Sequence, residues 1–293
     1  MIETRLKKYI IWLLKTLVLI SALKNIVYWV YPLLNTGWFA FHYPVIPQLS
    51  YVPFYIPFLL CGLCFLGSII IYINKSLRVF GFVLILSGLT NLYFQLSDYL
   101  ALHHDMYLSG LAFIALGIYF IRPNKNSYGA ILAITASTYL ISGIYKLTPD
   151  FIDGSMTADI IGRADRYFYG DIFVYFIGGA VTLSIFAIIV EIIEPFILLL
   201  GGRKIKKLSV FMTLPFHIGI LATGTGTVYN LTYPILFWFL VYYDPKNETS
   251  SQPLIDLFHE YAMKFTLLVS LIYLIFLGSM LPNLIIGLVR KLL

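Results

Sequence analysis

Long apolar runs, separated by short polar connections, restrict the fold of this sequence more than any other feature. A helix needs about 20 apolar residues to cross the hydrocarbon core of a bilayer. Only helices and closed barrels satisfy their backbone polar groups there. The sequence therefore predicts an all-α, polytopic helical integral membrane protein. We expect eight or nine spans in a single bundle, over residues 10–33, 52–73, 77–101, 106–121, 129–147, 172–200, 208–228, 231–243 and 265–289.

The connections between these runs are too short to form a soluble domain. Of the 293 residues, 60% are hydrophobic and only 12% are charged, far from the composition of a soluble globular protein. We therefore expect one membrane domain over residues 1–293, with the lipid bilayer as its surroundings. The run at 231–243 is the shortest, and a re-entrant segment is the alternative there. We expect no cleavable signal peptide, because the first run has full spanning length.

Basic residues occur in alternate connections, which sets the orientation. The net charge of +6 is carried largely by these short clusters, so it indicates topology and not nucleic-acid binding. The clusters are Arg5, Lys7 and Lys8; Lys75 and Arg78; Arg122 and Lys125; and Arg203, Lys204, Lys206 and Lys207. By the positive-inside rule we expect a cytoplasmic N-terminus, an outer position for Lys146, and a location in a bacterial inner membrane. Arg290 and Lys291 would then lie outside, against the rule.

Three predicted spans carry polar residues along one helical face. In the span that ends near Lys146, these are Thr135, Tyr139, Ser142 and Lys146. In the span at 77–101 they are Ser87, Asn91, Gln95 and Asp98, which lead toward His103 and His104; in the span at 208–228 they are Thr213 and His217. If the three helices are neighbours, we expect the stripes to converge on one outward-facing cavity, with Asp150 at its edge. Hydrogen bonding between helices is the alternative for the hydroxyl and amide groups.

Ionisable side chains within a membrane are costly and usually mark a site or a pathway. On this ground we expect functional roles for Lys146 and His217. Lys24 is also deep, in the middle of the first predicted span, whereas Glu191 and Glu194 lie one turn apart near the cytoplasmic end of the sixth. We consider two interpretations: a structural ion pair between Lys24 and one glutamate, or, since the predicted depths differ, separate satisfaction by backbone carbonyls or water. We expect no metal site, because His103 and His104 have no third ligand at helical spacing. The pair Cys61 and Cys64 matches a thiol-disulfide motif by spacing, and small core residues are the alternative.

Four segments in the same order resemble the HTTM family, the horizontally transferred transmembrane domain that also forms the membrane part of vitamin K-dependent gamma-carboxylase. The first is YLISGIYKLTPDFIDG at 139–154, with its Lys-Leu pair, Asp-aromatic pair and final glycine. The others are Glu194-Pro195-Phe196 before a basic loop, Phe216-His217, and the His-rich turn before Tyr107 and Leu108. The resemblance covers about residues 80–245.

The resemblance implies a role for one lysine in particular. In the carboxylase, the lysine of this motif is the base thought to deprotonate the vitamin K hydroquinone, and Lys146 matches it. A reduced, vitamin K-like quinone is therefore the implied cofactor. Tyr145 stands where the carboxylase has a second lysine, and the histidine before the Tyr-Leu pair is shifted, with His104 or Asp105 in its place. Because no segment matches the large extracytoplasmic domain of the carboxylase, we do not expect carboxylation of a propeptide-bearing protein.

These observations lead to three hypotheses. The first is an HTTM-type membrane enzyme or enzyme-like factor, in which Lys146 is the base and His217 its polariser or proton partner. The second is a non-enzymatic membrane subunit that helps a secreted antimicrobial peptide to mature or leave the cell, with that peptide or a small accessory subunit as partner. HTTM-like proteins of this size resemble such a subunit. The third is a small transporter, favoured if Lys24, Glu191 and Glu194 connect to the outer cavity.

Overall fold

The computed structural model describes residues 2–27, 55–97, 104–164, 178–222 and 228–243 of the chain. These residues form α-helices and one short 3₁₀ helix, and no strand occurs among them. The α-helices are α1 (Ile2–Asn25), α2 (Tyr55–Ile73), α3 (Leu77–Ser97), α4 (His104–Ile121), α5 (Lys125–Tyr145), α6 (Pro149–Ile152), α7 (Ser155–Ala164), α8 (Ala180–Leu200), α9 (Arg203–Ala222) and α10 (Thr232–Tyr242). The 3₁₀ helix, Val228–Leu231, leads directly into α10. The all-α prediction is therefore confirmed for the described residues.

Three of the described helices are long and apolar enough to cross a membrane: Leu77–Gln95 within α3, Lys125–Tyr145 and Ala180–Leu200. The prediction of eight or nine spans is thus not confirmed. Shorter apolar helices occur at Phe58–Ile73, Tyr107–Ile121 and Thr232–Tyr242. Helix α1 is long, but basic residues interrupt its apolar character at Lys15 and Lys24 as well as at its start. The predicted span at 265–289 lies outside the described residues.

Glycines let α3 and α4 pack closely side by side. A Cβ added at Gly88 would lie 2.5 Å from the carbonyl oxygen of Gly110, and one at Gly81 would lie 2.7 Å from that of Gly117. The two contacts have the antiparallel order expected for consecutive helices. Because glycine has no side chain, these backbones approach more closely than other residues would permit, as is common between helices in membranes.

Helix α5 lies at the centre of the bundle. Its N-terminus has a capping box, in which the Asn124 side chain accepts from the Ser127 backbone N–H at 2.8 Å and Ser127 Oγ accepts from the Asn124 N–H at 3.3 Å. All residues from Ser127 to Tyr139 are buried, and the helix packs against α4, α8 and α10. The Tyr128 hydroxyl donates to the Leu240 carbonyl at 2.6 Å, which ties α5 to α10. The C-terminal end of this buried helix carries Lys146.

Candidate functional site

A cavity of about 450 Å³ lies where the C-terminal end of α5 meets α6, α7, α8, α9 and the 3₁₀ helix. Its wall is mainly apolar and aromatic, with a few polar groups, as is typical of ligand sites. The lining residues are Leu108, Thr138, Tyr139, Ser142, Tyr145, Lys146, Phe151, Met156, Thr157, Ile160, Ile161, Leu183, Ala187, Glu191, Phe216, His217, Ile220, Asn230 and Tyr233.

Lys146 and Glu191 form an ion pair in the wall of this cavity. Lys146 caps the C-terminus of α5, and its ammonium group donates to the Glu191 carboxylate and, at 2.6 Å, to Ser142 Oγ. The side chains are 23% and 9% exposed, so the pair is only partly shielded from its surroundings. The aromatic ring of Phe151 lies 5.7 Å from Lys146 Nζ. A carboxylate, a hydroxyl and an aromatic face therefore surround the nitrogen of Lys146.

A close contact between α5 and α8 brings the two partners together. A Cβ added at Gly143 would lie 2.8 Å from Ile192 Cγ1 and 3.2 Å from the carbonyl carbon of Glu191. Glu191 lies near the middle of α8, about 16 Å from its first residue and about 14 Å from its last at the rise of an α-helix. The end of α5 is therefore level with the middle of α8, although the sequence suggests different depths for Lys146 and Glu191.

Tyr139, His217 and Tyr233 form an aromatic cluster beside the ion pair. The Tyr139 hydroxyl shares a hydrogen bond with His217 Nε2. The His217 ring stacks on Tyr233, with centroids 5.4 Å apart and planes at 27°, and Tyr139 packs edge-on against both rings. Tyr139 is 2% exposed and His217 is 4% exposed. The packing fixes the orientation of the imidazole, so one of its nitrogens always faces the tyrosine hydroxyl.

Helices α6 and α7 cover the cavity on one side. Thr157 on α7 and Ser184 on α8 share a hydroxyl–hydroxyl hydrogen bond of 2.5 Å, and both are buried. Gly154, between the two helices, has a φ of +79°, and a Cβ there would lie 2.6 Å from the Val181 backbone nitrogen. The Ser155 N–H donates to Asp153 Oδ1 at 2.8 Å and lowers the pKa of that carboxyl. Gly154, the last residue of the motif at 139–154, is therefore the point where the segment formed by α6 and α7 contacts α8.

A second glutamate, Glu194, lies one turn beyond Glu191 on α8. Thr213 on α9 donates from Oγ1 to Glu194 Oε1 at 3.1 Å, and both side chains are buried. Helix α8 also contains Pro195. Since proline lacks an N–H, the Glu191 carbonyl has no helical donor four residues later. The polar groups of α8 and α9 thus continue beyond the cavity wall.

Other residues expected at the cavity lie elsewhere. Asn91 and Gln95 on α3 are fully buried but do not line the cavity. Asn91 Oδ1 accepts from Asn25 Nδ2 at 2.8 Å and from Ser21 Oγ at 3.2 Å, so Asn91 joins α3 to α1. The stripes on α5 and α9 therefore meet at the cavity, whereas Asn91, on the α3 stripe, faces α1.

Asp150 is exposed on α6 and does not line the cavity; its backbone carbonyl accepts from Ser155 Oγ at 3.0 Å. Asp98 and His103, and the side chain of His104, lie outside the described part of the chain. Between the described residues 2–27 and 178–222, no ion pair joins Lys24 to Glu191 or Glu194, because Glu191 pairs with Lys146 and Glu194 accepts from Thr213. Of the two interpretations for these charges, the described residues do not contain the pair of Lys24 with a glutamate, and Glu191 instead pairs with Lys146, which the sequence did not suggest.

Neither a metal site nor a disulfide occurs among the described residues. No group of three His, Cys, Asp or Glu side chains could hold a metal ion there. Cys61 and Cys64 are both buried as free thiols on α2, and Cys64 Sγ lies 3.1 Å from Thr90 Oγ1. This packing corresponds to the alternative of two small core residues.

Several cavity residues have no signal in the sequence that marks them for the site. Asn230 comes from the 3₁₀ helix, Tyr233 from the start of α10 and Thr157 from α7. Each is an ordinary residue of its helix, and only the packing of α7 and α10 against α8 and α9 brings it to the cavity. Glu191 could be selected from the sequence as a charged residue within a predicted span. Its pairing with Lys146 could not, because the pairing depends on how α5 packs against α8.

Comparisons with protein-family models, with curated proteins and with solved structures find no match for the chain. The chemistry of the site therefore has to be inferred from its own geometry. The cavity combines apolar walls with a Lys–Glu ion pair and a Tyr–His hydrogen bond. Such a combination can bind a lipophilic molecule, move a proton and stabilise a negative charge.

Proposed function

We propose that the chain is a membrane enzyme that removes a proton from a lipophilic substrate in this cavity, with Lys146 as the base. The observation that carries the proposal is the ion pair of Lys146 and Glu191 in the wall of a largely apolar cavity. A structural ion pair is usually enclosed by protein, whereas this one borders a space large enough for a ligand. Intramembrane ionisable groups in such a position usually serve a site or a pathway.

The ion pair can accept one proton in two transfers. Lys146 first passes a proton to the Glu191 carboxylate, and the resulting amine then takes a proton from an acidic hydroxyl of the substrate. The O–H bond of the substrate breaks, an N–H bond forms on Lys146, and the electron pair stays on the substrate oxygen. In total Glu191 gains one proton, and the ammonium group of Lys146 stabilises the new anion. The low polarity of the cavity strengthens that attraction.

The hydrogen bond between Tyr139 and His217 can assist this step. Both side chains line the cavity, and both rings pack against Tyr233, His217 by stacking and Tyr139 edge-on. A hydroxyl and an imidazole that share a hydrogen bond can pass a proton between them, or present an O–H or N–H donor to a developing negative charge. We therefore assign His217 as the polariser or proton partner of the reaction.

An aromatic hydroxyl compound such as a reduced quinone fits the chemistry of this wall. The rings of Phe151, Phe216 and Tyr233 can pack against a flat aromatic head, while Lys146 and Ser142 reach its oxygen atoms. When bound, such a quinol supplies reducing power and an acidic hydroxyl. The resemblance of residues 139–154 to the HTTM family points to the same class of ligand.

We further propose that the chain lies in a bacterial inner membrane with a cytoplasmic N-terminus. Three helices have spanning length, and the shorter apolar helices would add to them where the bilayer thins locally around the protein. The alternation of basic connections supports the orientation. The cavity would then receive its substrate from the outer half of the membrane.

The proposal is tested by the oxidation of a reduced naphthoquinone. The purified chain in lipid nanodiscs is mixed with the quinol and dissolved oxygen, and the loss of quinol fluorescence is followed. We expect the wild-type chain to accelerate the loss and Lys146→Ala to abolish the acceleration. Lys75→Ala, at an exposed lysine before α3, is the control and should behave like the wild type. Equal rates for Lys146→Ala and the wild type would refute the assignment of Lys146 as the base.

One observation favours the second candidate, a non-enzymatic subunit for peptide maturation. Met156, Ile160 and Ile161 on α7 give the cavity an aliphatic side as well as an aromatic one. Such a side could hold an apolar peptide segment, and the ion pair of Lys146 would then only stabilise the wall. In that case a secreted peptide would copurify with the wild type and with Lys146→Ala in equal amounts.

A further inference from the structure

A buried polar stripe runs along α9, and the proposed reaction uses only its last member. The stripe consists of Lys206, Ser209, Thr213 and His217, which are spaced by three, four and four and so share one helical face. All four side chains are buried, whereas Phe211 on another face is 74% exposed. Helix α9 thus turns its polar face into the protein. The stripe connects the basic end of α9 with the cavity.

Glu194 on α8 lies against the middle of this stripe. Thr213 Oγ1 donates to Glu194 Oε1 at 3.1 Å and also contacts the Ser209 carbonyl at 2.9 Å. The Glu194 side chain is 1% exposed. Its second oxygen, Oε2, has no hydrogen-bond partner within the described ranges of the chain. A carboxyl oxygen therefore remains available for a proton at a point between the cavity and the basic end of α9.

The charges around Glu194 favour its neutral form. Lys146, the nearby cation, already pairs with Glu191. The titratable side chains that face this part of α8 are Tyr139 on α5 and His217 on α9, with Glu191 on the same helix. The buried Lys206 lies on the same face of α9, three residues before Ser209. Both glutamates are close enough to Tyr139 to act on it electrostatically. A second buried carboxylate beside only the hydroxyls of Thr213 and Ser209 would carry a charge that no opposite charge balances, which is expensive in an apolar interior.

We propose that Glu194 is a protonated carboxylic acid which, together with Thr213 and Ser209, forms a proton path from the cavity to the Lys206 end of α9. The proposal rests on the proposed function only for the source of the proton. The O–H bond of Glu194 breaks as its proton moves to the Thr213 hydroxyl, which passes its own proton to the Ser209 hydroxyl. Ser209 in turn passes a proton to water at the basic end of α9, where Lys204 is exposed. A new O–H bond forms with the proton that Glu191 collected, through the hydrogen-bonded pair of Tyr139 and His217. One proton leaves the site, and no electron is transferred.

The path explains why the site needs a second glutamate. After one proton transfer, Glu191 is protonated and can no longer receive a proton from Lys146. Release into the cavity would return the proton to the substrate anion. A path along α9 removes it in the other direction and restores the ion pair for the next reaction.

The test uses infrared spectroscopy of the purified chain in lipid nanodiscs during exchange from H₂O into D₂O. We expect the C=O stretching band of a protonated carboxylic acid that shifts in D₂O. Glu194→Gln should remove this band, and Asp150→Asn, at an exposed carboxyl, should leave it unchanged. If Glu194→Gln does not fold, Glu194→Asp should move the band to a new frequency.

Thr213→Val tests the path itself. Loss of the hydrogen bond to Glu194 Oε1 should raise the frequency of the band and slow its exchange into D₂O about tenfold, the factor expected for one lost hydrogen bond. Thr182→Val is the matched control, because the Thr182 hydroxyl is exposed on α8 and donates to the Gly178 carbonyl. A purely structural role for Thr213 would lower the thermal stability but leave the exchange rate of the band unchanged.

Three results would overturn the proposal: no carboxylic-acid band in the wild type, a band that persists in Glu194→Gln, or an exchange rate that Thr213→Val does not alter. None of these measurements needs a substrate. Failure of the quinol assay with a normal band would contradict only the proposed function. A missing band with normal quinol oxidation would contradict only the proton path.

Discussion

The ammonium group of Lys146 lies against the carboxylate of Glu191, a residue 45 positions later in the chain, because the backbone of α5 approaches α8 at Gly143. The contact joins the end of one helix to the middle of another. It places a charged pair in the wall of the cavity and at the start of the polar groups that continue to Glu194. The proposed function of the site therefore depends on this crossing of α5 and α8.

Removal of both members of the pair should cost less stability than the two single removals added together. We expect Lys146→Met and Glu191→Gln each to destabilise the chain by about 2 kcal/mol, because the partner keeps a desolvated group without its charged hydrogen bond. The variant that carries both changes should lose less stability than the sum of the losses of the two single variants. Thermal unfolding in detergent, followed by the fraction that stays monodisperse, measures the difference. Strictly additive losses would show that the two groups do not interact.

The Tyr139 hydroxyl should stabilise the chain through its hydrogen bond to His217. Tyr139→Phe removes the hydroxyl and leaves His217 Nε2 buried without that bond, at an expected cost of about 1–3 kcal/mol. The same change at Tyr9, a 59% exposed residue of α1, is the matched control and should have little effect. Thermal unfolding of both variants tests this, and similar stability of the two would contradict the buried hydrogen bond. We also expect Tyr139→Phe to slow quinol oxidation.

The sequence predicted the helices well where hydropathy alone decides them. The run at 77–101 corresponds to α3 at Leu77–Ser97, and the run at 129–147 corresponds to α5 at Lys125–Tyr145. Apolar character is a local property, so a single sequence contains it. The depth of a side chain relative to a neighbouring helix is not a local property, because one helix can be displaced along the other. For that reason Lys146 could be selected from the sequence, but its pairing with Glu191 could not.

The spacing of polar residues likewise predicts which residues share a helical face, but not which helix packs against that face. Spacing identified Asn91 as part of one helical face, and Asn91 is indeed buried on a polar face of α3. Spacing cannot identify the helix that covers this face, and the structure places α1 there, with Ser21 and Asn25. Thr157 and Tyr233 were missed because they reach the cavity only through the packing of α7 and α10.

The glycine contact between α3 and α4 should be essential for stability. Gly88→Ala places a methyl group 2.5 Å from the Gly110 carbonyl oxygen, so the helices must separate. We expect a loss of about 1–3 kcal/mol, which is typical of overpacking. Gly62→Ala on α2 is the matched control, because nothing lies within 4 Å of its added Cβ. In the same thermal assay Gly62→Ala should be neutral or slightly stabilising, since alanine favours a helix. Equal effects of the two changes would contradict the close packing of α3 and α4.

Single cysteines at exposed positions test the orientation of the chain in the membrane. Lys75 before α3 and Asp150 on α6 are both exposed, and the positive-inside rule places them on opposite sides. In a background with Cys61→Ala and Cys64→Ala, we expect Asp150→Cys in intact cells to react with a membrane-impermeant maleimide. Lys75→Cys should react only after the cells are opened, and this difference is the control for membrane integrity. If instead Lys75→Cys reacts in intact cells and Asp150→Cys does not, helices α6 and α7, which cover the cavity, lie on the cytoplasmic side. The substrate would then have to enter from the inner half of the membrane.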